Sequence, residues 1–154
     1  MTNQLNDFIA RHESEKFATE AGLVMHAKLQ HVHLGDNPCG DKDLIDKIIS
    51  CGDKLKYFFT DNSKTEVPIA GMLDGRFISR RIDRLIVDDK TKTVRVLDYK
   101  TDVDTEKFRA KYVAQLREYV QLLKQIYPDY KISAHILWLH NWALEDIINA
   151  KEKK

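Results

Sequence analysis

The stretch VRVLDYKT, residues 94–101, predicts the strand around which the rest of the chain is organised. Its β-branched and aromatic residues favour a strand, in which successive side chains point to opposite faces. Asp98 and Lys100 are separated by one residue, so they lie on the same face of that strand. The pattern therefore places a carboxylate and an ammonium group side by side near the end of a strand.

A second strand is predicted just upstream, over residues 77–87 (FISRRIDRLIV), and the polar residues 88–92 favour a hairpin turn between the two. Closing this hairpin brings Asp83 opposite Asp98. Two carboxylates and Lys100 then converge, and such a group is suited to a hard cation and an attacking water. The alternative is a cross-strand salt bridge on a solvated face, which is the commoner meaning of a single D-x-K pattern.

The composition is that of one soluble domain over residues 1–154, with 43% hydrophobic and 32% charged residues. Short, interrupted apolar runs predict no membrane span, and the N-terminus lacks the pattern of a signal peptide. Two cysteines are too few for a disulfide framework, which favours free thiols in a reducing cytoplasm. A net charge of +1 gives no argument for nucleic acid. Basic clusters around the predicted site would nevertheless suit a phosphate-rich ligand: Arg76, Arg80, Arg81, Arg84, Lys107, Arg109, Lys111 and Arg117.

Periodicity predicts helices, then three strands, a long helix, a strand and a last helix. Gly22 marks a break or a close contact within the first helical segment, and Asp41 and Asp104 are favourable N-caps. A long helix between the third and fourth strands is typical of a crossover, so we expect a mixed sheet flanked by helices. The predicted helices are 5–34 in two pieces, 42–49, 53–59, 105–127 and 141–154, and the other two strands are 65–73 and 130–140.

Four more side chains complete the candidate site. His26 lies on the second helical piece, and Tyr112, Gln115 and Tyr119 lie on the long helix, where Gln115 and Tyr119 share a face. Each has a structural alternative: a satisfied core histidine, a surface amide or a packed aromatic ring. Taken singly the alternatives are favoured, so the functional interpretation depends on the residues occurring together.

Together these residues resemble the RecB-type nuclease domains of the PD-(D/E)XK nuclease superfamily. His26, Asp83, the DYKT of residues 98–101 and the YxxQLxxY of residues 112–119 have the order and approximate spacing of that family, over about residues 21–139. Residues 66–68 (EVP) are similar to its E-x-P. The chain departs from the pattern in carrying Arg80 where glycine is frequent, and it lacks the four cysteines of the iron–sulfur relatives. It therefore resembles the cluster-free RecB and AddA side of the family.

The resemblance implies a restriction-endonuclease-like α/β fold and a metal-dependent deoxyribonuclease. It assigns Mg²⁺ (with Mn²⁺ as a substitute) to Asp83, Asp98, the Tyr99 carbonyl and His26. Catalytic roles fall on Asp83 and Asp98 as metal ligands, Lys100 as the group that orients water or stabilises charge, and Gln115 and Tyr119 as hydrogen-bonding supports.

The resemblance also implies partners. Its substrate would be DNA, as single strands or duplex ends, and its context helicase-coupled end processing and recombinational repair, as in exonuclease V. We expect a helicase motor or partner subunit, and we expect this chain to be the nuclease part of a larger helicase-nuclease. The alternatives are a nuclease-like module that holds DNA without cutting it, and a generic α/β ligand-binding domain with an accidental D-x-K.

Overall fold

In the computed structural model of the protein, residues 20–60 and 62–147 are described. The strands are β1 (Ser63–Leu73), β2 (Arg76–Asp88), β3 (Thr93–Lys100), β4 (Lys131–Trp138) and β5 (Ala143–Asp146). The helices are α1 (Glu20–Gln30), α2 (Lys42–Ser50), α3 (Asp53–Tyr57) and α4 (Thr105–Ile126). The strands form one sheet in chain order, and all neighbours pair antiparallel except β3 and β4, which pair parallel.

Both faces of the sheet are covered by helices, because each carries apolar side chains that must leave water. Helix α4 covers one face, with a buried cluster that includes Ile82, Val96, Leu116, Val120, Leu123 and Ile136. The three shorter helices cover the other face, with a cluster that includes Leu29, Ile48, Phe58, Ile86, Leu97 and Leu137. None of the helices formed by the described residues is long and apolar enough to cross a membrane.

The predicted mixed α/β class with a helix-flanked sheet is confirmed. Helix α4 connects the parallel strands β3 and β4, as parallel pairing requires a crossover. Both predicted N-caps are also confirmed. The Asp41 side chain accepts a hydrogen bond from the Leu44 N–H at 3.1 Å, and that of Asp104 accepts one from the Lys107 N–H at 3.2 Å.

One local prediction is wrong. The predicted helix over 141–154 is replaced, within the described residues, by strand β5, which folds back on β4. Asn141 starts that turn by accepting a hydrogen bond from the Ala143 N–H, and Trp142 takes a left-handed φ of 58°. Gly22 lies inside α1, so the helix does not break at that residue, and its burial agrees with the alternative prediction of a close contact. The helical piece predicted before residue 20 lies outside the described residues.

The side-chain alternation of β2 reverses in the middle of the strand. Ile78 and Ile82 pack in the cluster beneath α4, whereas Arg84 and Ile86 pack on the face covered by the shorter helices. All four positions are even-numbered and would share one face in a regular strand. The strand therefore turns over between Ile82 and Arg84.

Strand β1 turns over at the matching place. β1 and β2 pair in the same register before and after Glu66 and Asp83. That register sets Glu66 opposite Asp83, but these two residues do not pair. Glu66 has a left-handed φ of 52°, a conformation that is unusual for a residue with a side chain. Both strands are thus reversed together at the position of Asp83.

A buried histidine on β4 makes stability depend on pH. Burial lowers the pKa of His135; Asp146 opposes that shift, and Lys54 and Arg95 add to it. Its Nδ1 has no hydrogen-bond partner among the described residues, and its ring lies edge-on to Phe58 with 5.2 Å between centroids. There is therefore a range of pH in which His135 is neutral in the folded protein but protonated in the unfolded chain.

We expect the free energy of unfolding of the wild type to lose a contribution as the pH falls from about 6.5 towards the lowered folded pKa, since the unfolded chain binds the proton first. His135→Leu removes that contribution. Between pH 7.5 and 5.5 the variant should lose about 1 kcal/mol less than the wild type in urea denaturation. Parallel pH dependences of the two proteins would contradict the assignment.

Candidate active site

The candidate site lies at a fork where β2 and β3 separate. Their ladder ends at the pair Arg84–Leu97, one step before Asp83 would meet Asp98. At that point the Asp83 side chain replaces a backbone acceptor, because its Oδ2 accepts a hydrogen bond from the Tyr99 N–H at 2.9 Å. Asp83 thus closes the ladder with its side chain, and the predicted approach of the two aspartates is the geometry found.

A chain of polar side chains runs from β3 onto α4. Lys100 Nζ lies 2.8 Å from Asp98 Oδ2 and donates a hydrogen bond to Gln115 Oε1 at 3.0 Å. Gln115 Nε2 donates to the Tyr119 hydroxyl at 2.8 Å, and that hydroxyl donates to the Arg81 carbonyl at 3.3 Å. Asp98, Lys100, Gln115 and Tyr119 are therefore brought together as the sequence predicted.

Lys100 is held in its charged form. Burial lowers the pKa of Lys100, but the Asp98 carboxylate and its hydrogen bond, together with Asp83 and Asp102, raise it above the ordinary value. Its ammonium group also lies 4.2 Å from the centre of the Tyr112 ring, a cation–π contact. The Tyr112 hydroxyl donates a hydrogen bond to the Asp102 carboxylate. Lys100 is thus a fixed cation at neutral pH and not a base, and Asp102 is a neighbour that the sequence pattern did not identify.

His26 reaches the fork from α1. Its Nδ1 lies 3.7 Å from Asp83 Oδ1, and its ring is edge-on to Tyr99 at 5.3 Å between centroids. Burial lowers the pKa of His26, but the hydrogen bond and charge of Asp83 outweigh burial and the net shift is upward. Burial raises the pKa of Asp83, but His26 and the Tyr99 N–H outweigh it and the net shift is downward. Asp83 is therefore ionised, and His26 is its partner.

Asp98 is the residue of the site whose carboxylate form is least stabilised by its surroundings. Burial and the nearby charge of Asp83 raise its pKa to about 7, although Lys100 opposes the shift. Its Oδ2 is buried and, despite the close ammonium, has no hydrogen bond of acceptable geometry among the described residues. A buried carboxylate oxygen in this state is stabilised by additional positive charge.

The atoms that could bind a metal at the fork have the chemistry that a hard divalent cation prefers. Two carboxylates and an imidazole converge, and the Tyr99 carbonyl points into the fork because the N–H and C=O of a strand residue lie on the same side. Within residues 20–60 and 62–147, however, no three His, Cys, Asp or Glu side chains form a ready-made metal-binding group. The described side chains satisfy each other through ion pairs, so a cation would have to replace the contact of His26 with Asp83 or of Lys100 with Asp98.

Arg84 is the residue whose role the sequence did not reveal. It belongs to a basic cluster and follows Asp83, which indicates a solvated strand residue, yet it is fully buried. Its described partners are all uncharged, and its guanidinium lies 4.1 Å from the centre of the Phe59 ring. It donates hydrogen bonds to the Tyr99 hydroxyl (2.8 Å), Ser63 Oγ (2.7 Å) and the carbonyls of Leu29 (2.7 Å), Val32 and Phe58 (3.4 Å).

Arg84 therefore fastens α1 to the sheet beside the site. The carbonyls of Leu29 and Val32 lie at and just beyond the end of α1, and a guanidinium suits such unpaired groups in charge and geometry. Helix α1 carries His26 about one turn earlier, while Arg84 adjoins Asp83. The prediction that Arg84 belongs to a basic rim is wrong, because the residue is needed inside.

The other basic residues have mixed surroundings. Arg80, which stands where the family often has glycine, lies 3.4 Å from Glu118 on α4. Arg109 lies 2.8 Å from Glu145 on β5. Arg81 is exposed, with Nε 4.0 Å from Glu66 Oε2. Part of the predicted basic rim is thus neutralised, and its other exposed members are Arg76 on β2 and Lys107, Lys111 and Arg117 on α4.

The chain matches no protein-family model and no curated protein sequence. The class of the protein is therefore defined by its fold alone: a mixed α/β domain with a five-stranded sheet and helices on both faces. The candidate functional residues converge at the fork between β2 and β3.

Proposed function

We propose that the protein is a metal-dependent deoxyribonuclease with a restriction-endonuclease-like core, as its resemblance to RecB and AddA nuclease domains suggests. One observation carries the proposal. Asp98 holds a buried carboxylate oxygen without a hydrogen bond, near a second carboxylate and in contact with a charged lysine. Two acids and a cation at the end of a strand pair are suited to binding a divalent ion and a phosphate together.

Asp83 and Asp98 would hold Mg²⁺, with Mn²⁺ as a substitute, and His26 and the Tyr99 carbonyl would complete the protein ligands. Oxygen ligands suit Mg²⁺, and an imidazole makes Mn²⁺ acceptable. When bound, the ion supplies charge that polarises a phosphodiester and lowers the pKa of a water. Deposition of positive charge between Asp83 and Asp98 would also relieve the repulsion that raises the pKa of Asp98.

Lys100 would stabilise the negative charge that grows on phosphorus, and orient the attacking water. Its ammonium is buried and charged, so it requires no reorganisation when the charge develops. Gln115 Oε1 accepts a hydrogen bond from this ammonium, Gln115 Nε2 donates one to the Tyr119 hydroxyl, and that hydroxyl donates to the Arg81 carbonyl on β2. Gln115 and Tyr119 would therefore act as positioning residues for Lys100.

The biological context follows from the resemblance and is part of the proposal: DNA end processing coupled to a helicase motor. The alternative is a module that holds DNA without cutting it. Such a module would not need a charged lysine beside a strained pair of buried carboxylates, whereas cleavage would.

The test is the variant Asp98→Ala, assayed for Mg²⁺-dependent cleavage of labelled linear duplex and single-stranded DNA. We expect cleavage to be lost. Melting curves with and without Mg²⁺ should show the wild type stabilised by about 1.4 kcal/mol at roughly ten times the dissociation constant, and the variant should lose this gain. Without metal the variant loses the repulsion between Asp83 and Asp98 but also the ion pair between Asp98 and the buried Lys100, so the Mg²⁺ shift of each protein is measured from its own metal-free melting curve.

Asp46→Ala, an exposed aspartate on α2, is the control and should leave both measurements unchanged. An Asp98→Ala protein that keeps its Mg²⁺ shift would remove Asp98 from the metal site. Wild-type protein that binds DNA and Mg²⁺ but does not cleave would favour the non-cleaving module.

A further inference from the structure

Beyond the fork, β1 and β2 continue as a two-stranded ribbon that pairs with no third strand among the described residues. One face of this ribbon is fixed to α4. Ile69 and Ile78 are buried there, and a Cβ on Gly71 would come within 2.9 Å of Leu122. Gln125 of α4 donates a hydrogen bond to a ribbon carbonyl, that of Met72, at 2.9 Å. The ribbon is therefore a rigid extension of the sheet.

The opposite face of the ribbon is exposed along its whole length. Three cross-strand pairs form it. The two side chains of each pair lie side by side, because residues that are directly opposite in the ladder point to the same side of the ribbon. Phe77 and Met72, at the outer end, are 68% and 53% exposed. The pairs are Met72–Phe77, Ala70–Ser79 and Pro68–Arg81, and all six residues are exposed.

This outer ribbon face leads directly into the candidate active site. It is the face that looks away from α4, and it ends at the unpaired positions Glu66 and Asp83. Arg81 is separated from Asp83 by one residue, and Phe77 lies six positions, or about 20 Å of strand, from Asp83. An extended chain lying on the ribbon would therefore reach Asp83, beside His26, at its inner end.

We propose that the outer ribbon face binds single-stranded DNA, with a base stacked on Phe77 and a phosphate held by Arg81. The inference deepens the proposed nuclease function and rests on it for the direction of the strand. An exposed aromatic ring on a rigid sheet, with an arginine further along the same face, matches the way proteins bind single strands without reading sequence. A base in a duplex is already stacked, so the platform selects unpaired DNA.

The size and charge of the face favour this occupant over a protein partner. A stable protein interface buries roughly 800 Å² on each side, with a broad apolar centre. Here the large apolar side chains are Phe77 and Met72 alone, and Arg81 is the basic side chain on the same face, whereas Arg80 lies on the α4 side and pairs with Glu118. Acidic side chains stand only at the ends of the ribbon, at Asp74, Glu66 and Asp83, so a phosphate lying between them meets no carboxylate before it reaches Arg81.

The test measures binding of fluorescent oligothymidylate, about 12 nucleotides long, by anisotropy in EDTA so that no cleavage occurs. We expect Phe77→Ala to weaken single-strand binding by about 5- to 100-fold while leaving binding of a duplex of the same length within two-fold, and Phe77→Trp to restore it. Arg81→Gln should flatten the log–log salt dependence by roughly 0.7. Ile49→Ala and Lys47→Gln, exposed apolar and basic controls on α2, should change neither.

Unchanged single-strand affinity in Phe77→Ala overturns the inference, and so does an equal loss for single strand and duplex. Failure of the proposed function is a separate result. Wild-type protein that binds oligothymidylate through Phe77 but does not cleave DNA with Mg²⁺ keeps the platform and removes the nuclease. Cleavage that needs Asp98 but is indifferent to Phe77→Ala at low DNA concentration keeps the nuclease and removes the platform.

Discussion

Lys100→Ala is expected to reduce Mg²⁺-dependent DNA cleavage by about 10²–10³-fold while leaving the Mg²⁺-induced gain in melting temperature in place. Lys100 is a buried cation held by Asp98 and Gln115, and its loss removes charge stabilisation that water would have to replace. An ammonium is not a metal ligand, so Asp83 and Asp98 keep their ability to bind the ion. The measurements are single-turnover cleavage of labelled DNA and melting curves with and without Mg²⁺.

Lys47→Ala, at an exposed lysine on α2, is the matched control and should cleave at the wild-type rate. Gln115→Leu should give a smaller loss than Lys100→Ala, because it leaves the ammonium present but less firmly placed. A Lys100→Ala protein that cleaves nearly as well as the wild type would reduce Lys100 to a structural partner of Asp98. The nuclease mechanism proposed above would then be contradicted.

Arg84→Met is expected to lower the free energy of unfolding by about 3–5 kcal/mol. Methionine fills part of the volume but leaves the carbonyls of Leu29 and Val32 and the Tyr99 hydroxyl buried without donors. The free energy of unfolding of Arg84→Lys should lie between those of the wild type and Arg84→Met, since an ammonium cannot reach all the acceptors that the guanidinium reaches. Urea denaturation measured at one pH gives the three values.

Arg117→Met, at an exposed position on α4, should change stability by no more than about 0.5 kcal/mol. Where Arg84→Lys remains folded, the NMR titration of His26 gives a second result. A displaced α1 moves His26 away from Asp83, so the pKa of His26 should fall towards that of a free histidine or below. A loss of under about 1 kcal/mol in Arg84→Met would show that the buried guanidinium does not fasten α1.

The regular parts of the fold were predictable because their signals are local. Strand-favouring residues on either side of a polar turn indicated β2 and β3, Asp41 and Asp104 marked helix starts, and the long helix required a crossover. The approach of Asp83 to Asp98 follows from hairpin register alone. The pairing of Gln115 with Tyr119 follows from helical spacing.

The remaining features depend on contacts between distant segments. Arg84 is buried because two helix-end carbonyls and the Tyr99 hydroxyl converge on it, and no pattern within β2 announces these acceptors. The reversal at Glu66 and Asp83 breaks the alternation on which strand prediction relies. Strand β5 is too short for a periodic signal, and Asn141 was its only local indication.

The uncharged surroundings of Arg84 have a consequence for the behaviour of the protein in salt. Mobile ions screen exposed charges from one another over a length of about 10 Å at 0.1 M, but they do not enter the core. The bonds from Arg84 to Leu29 and Ser63 are therefore insensitive to ionic strength, whereas phosphate contacts on the ribbon are not. Concentrated salt would release DNA from a protein whose α1 remains attached, which makes loss of nucleic acid and loss of structure separable in one titration.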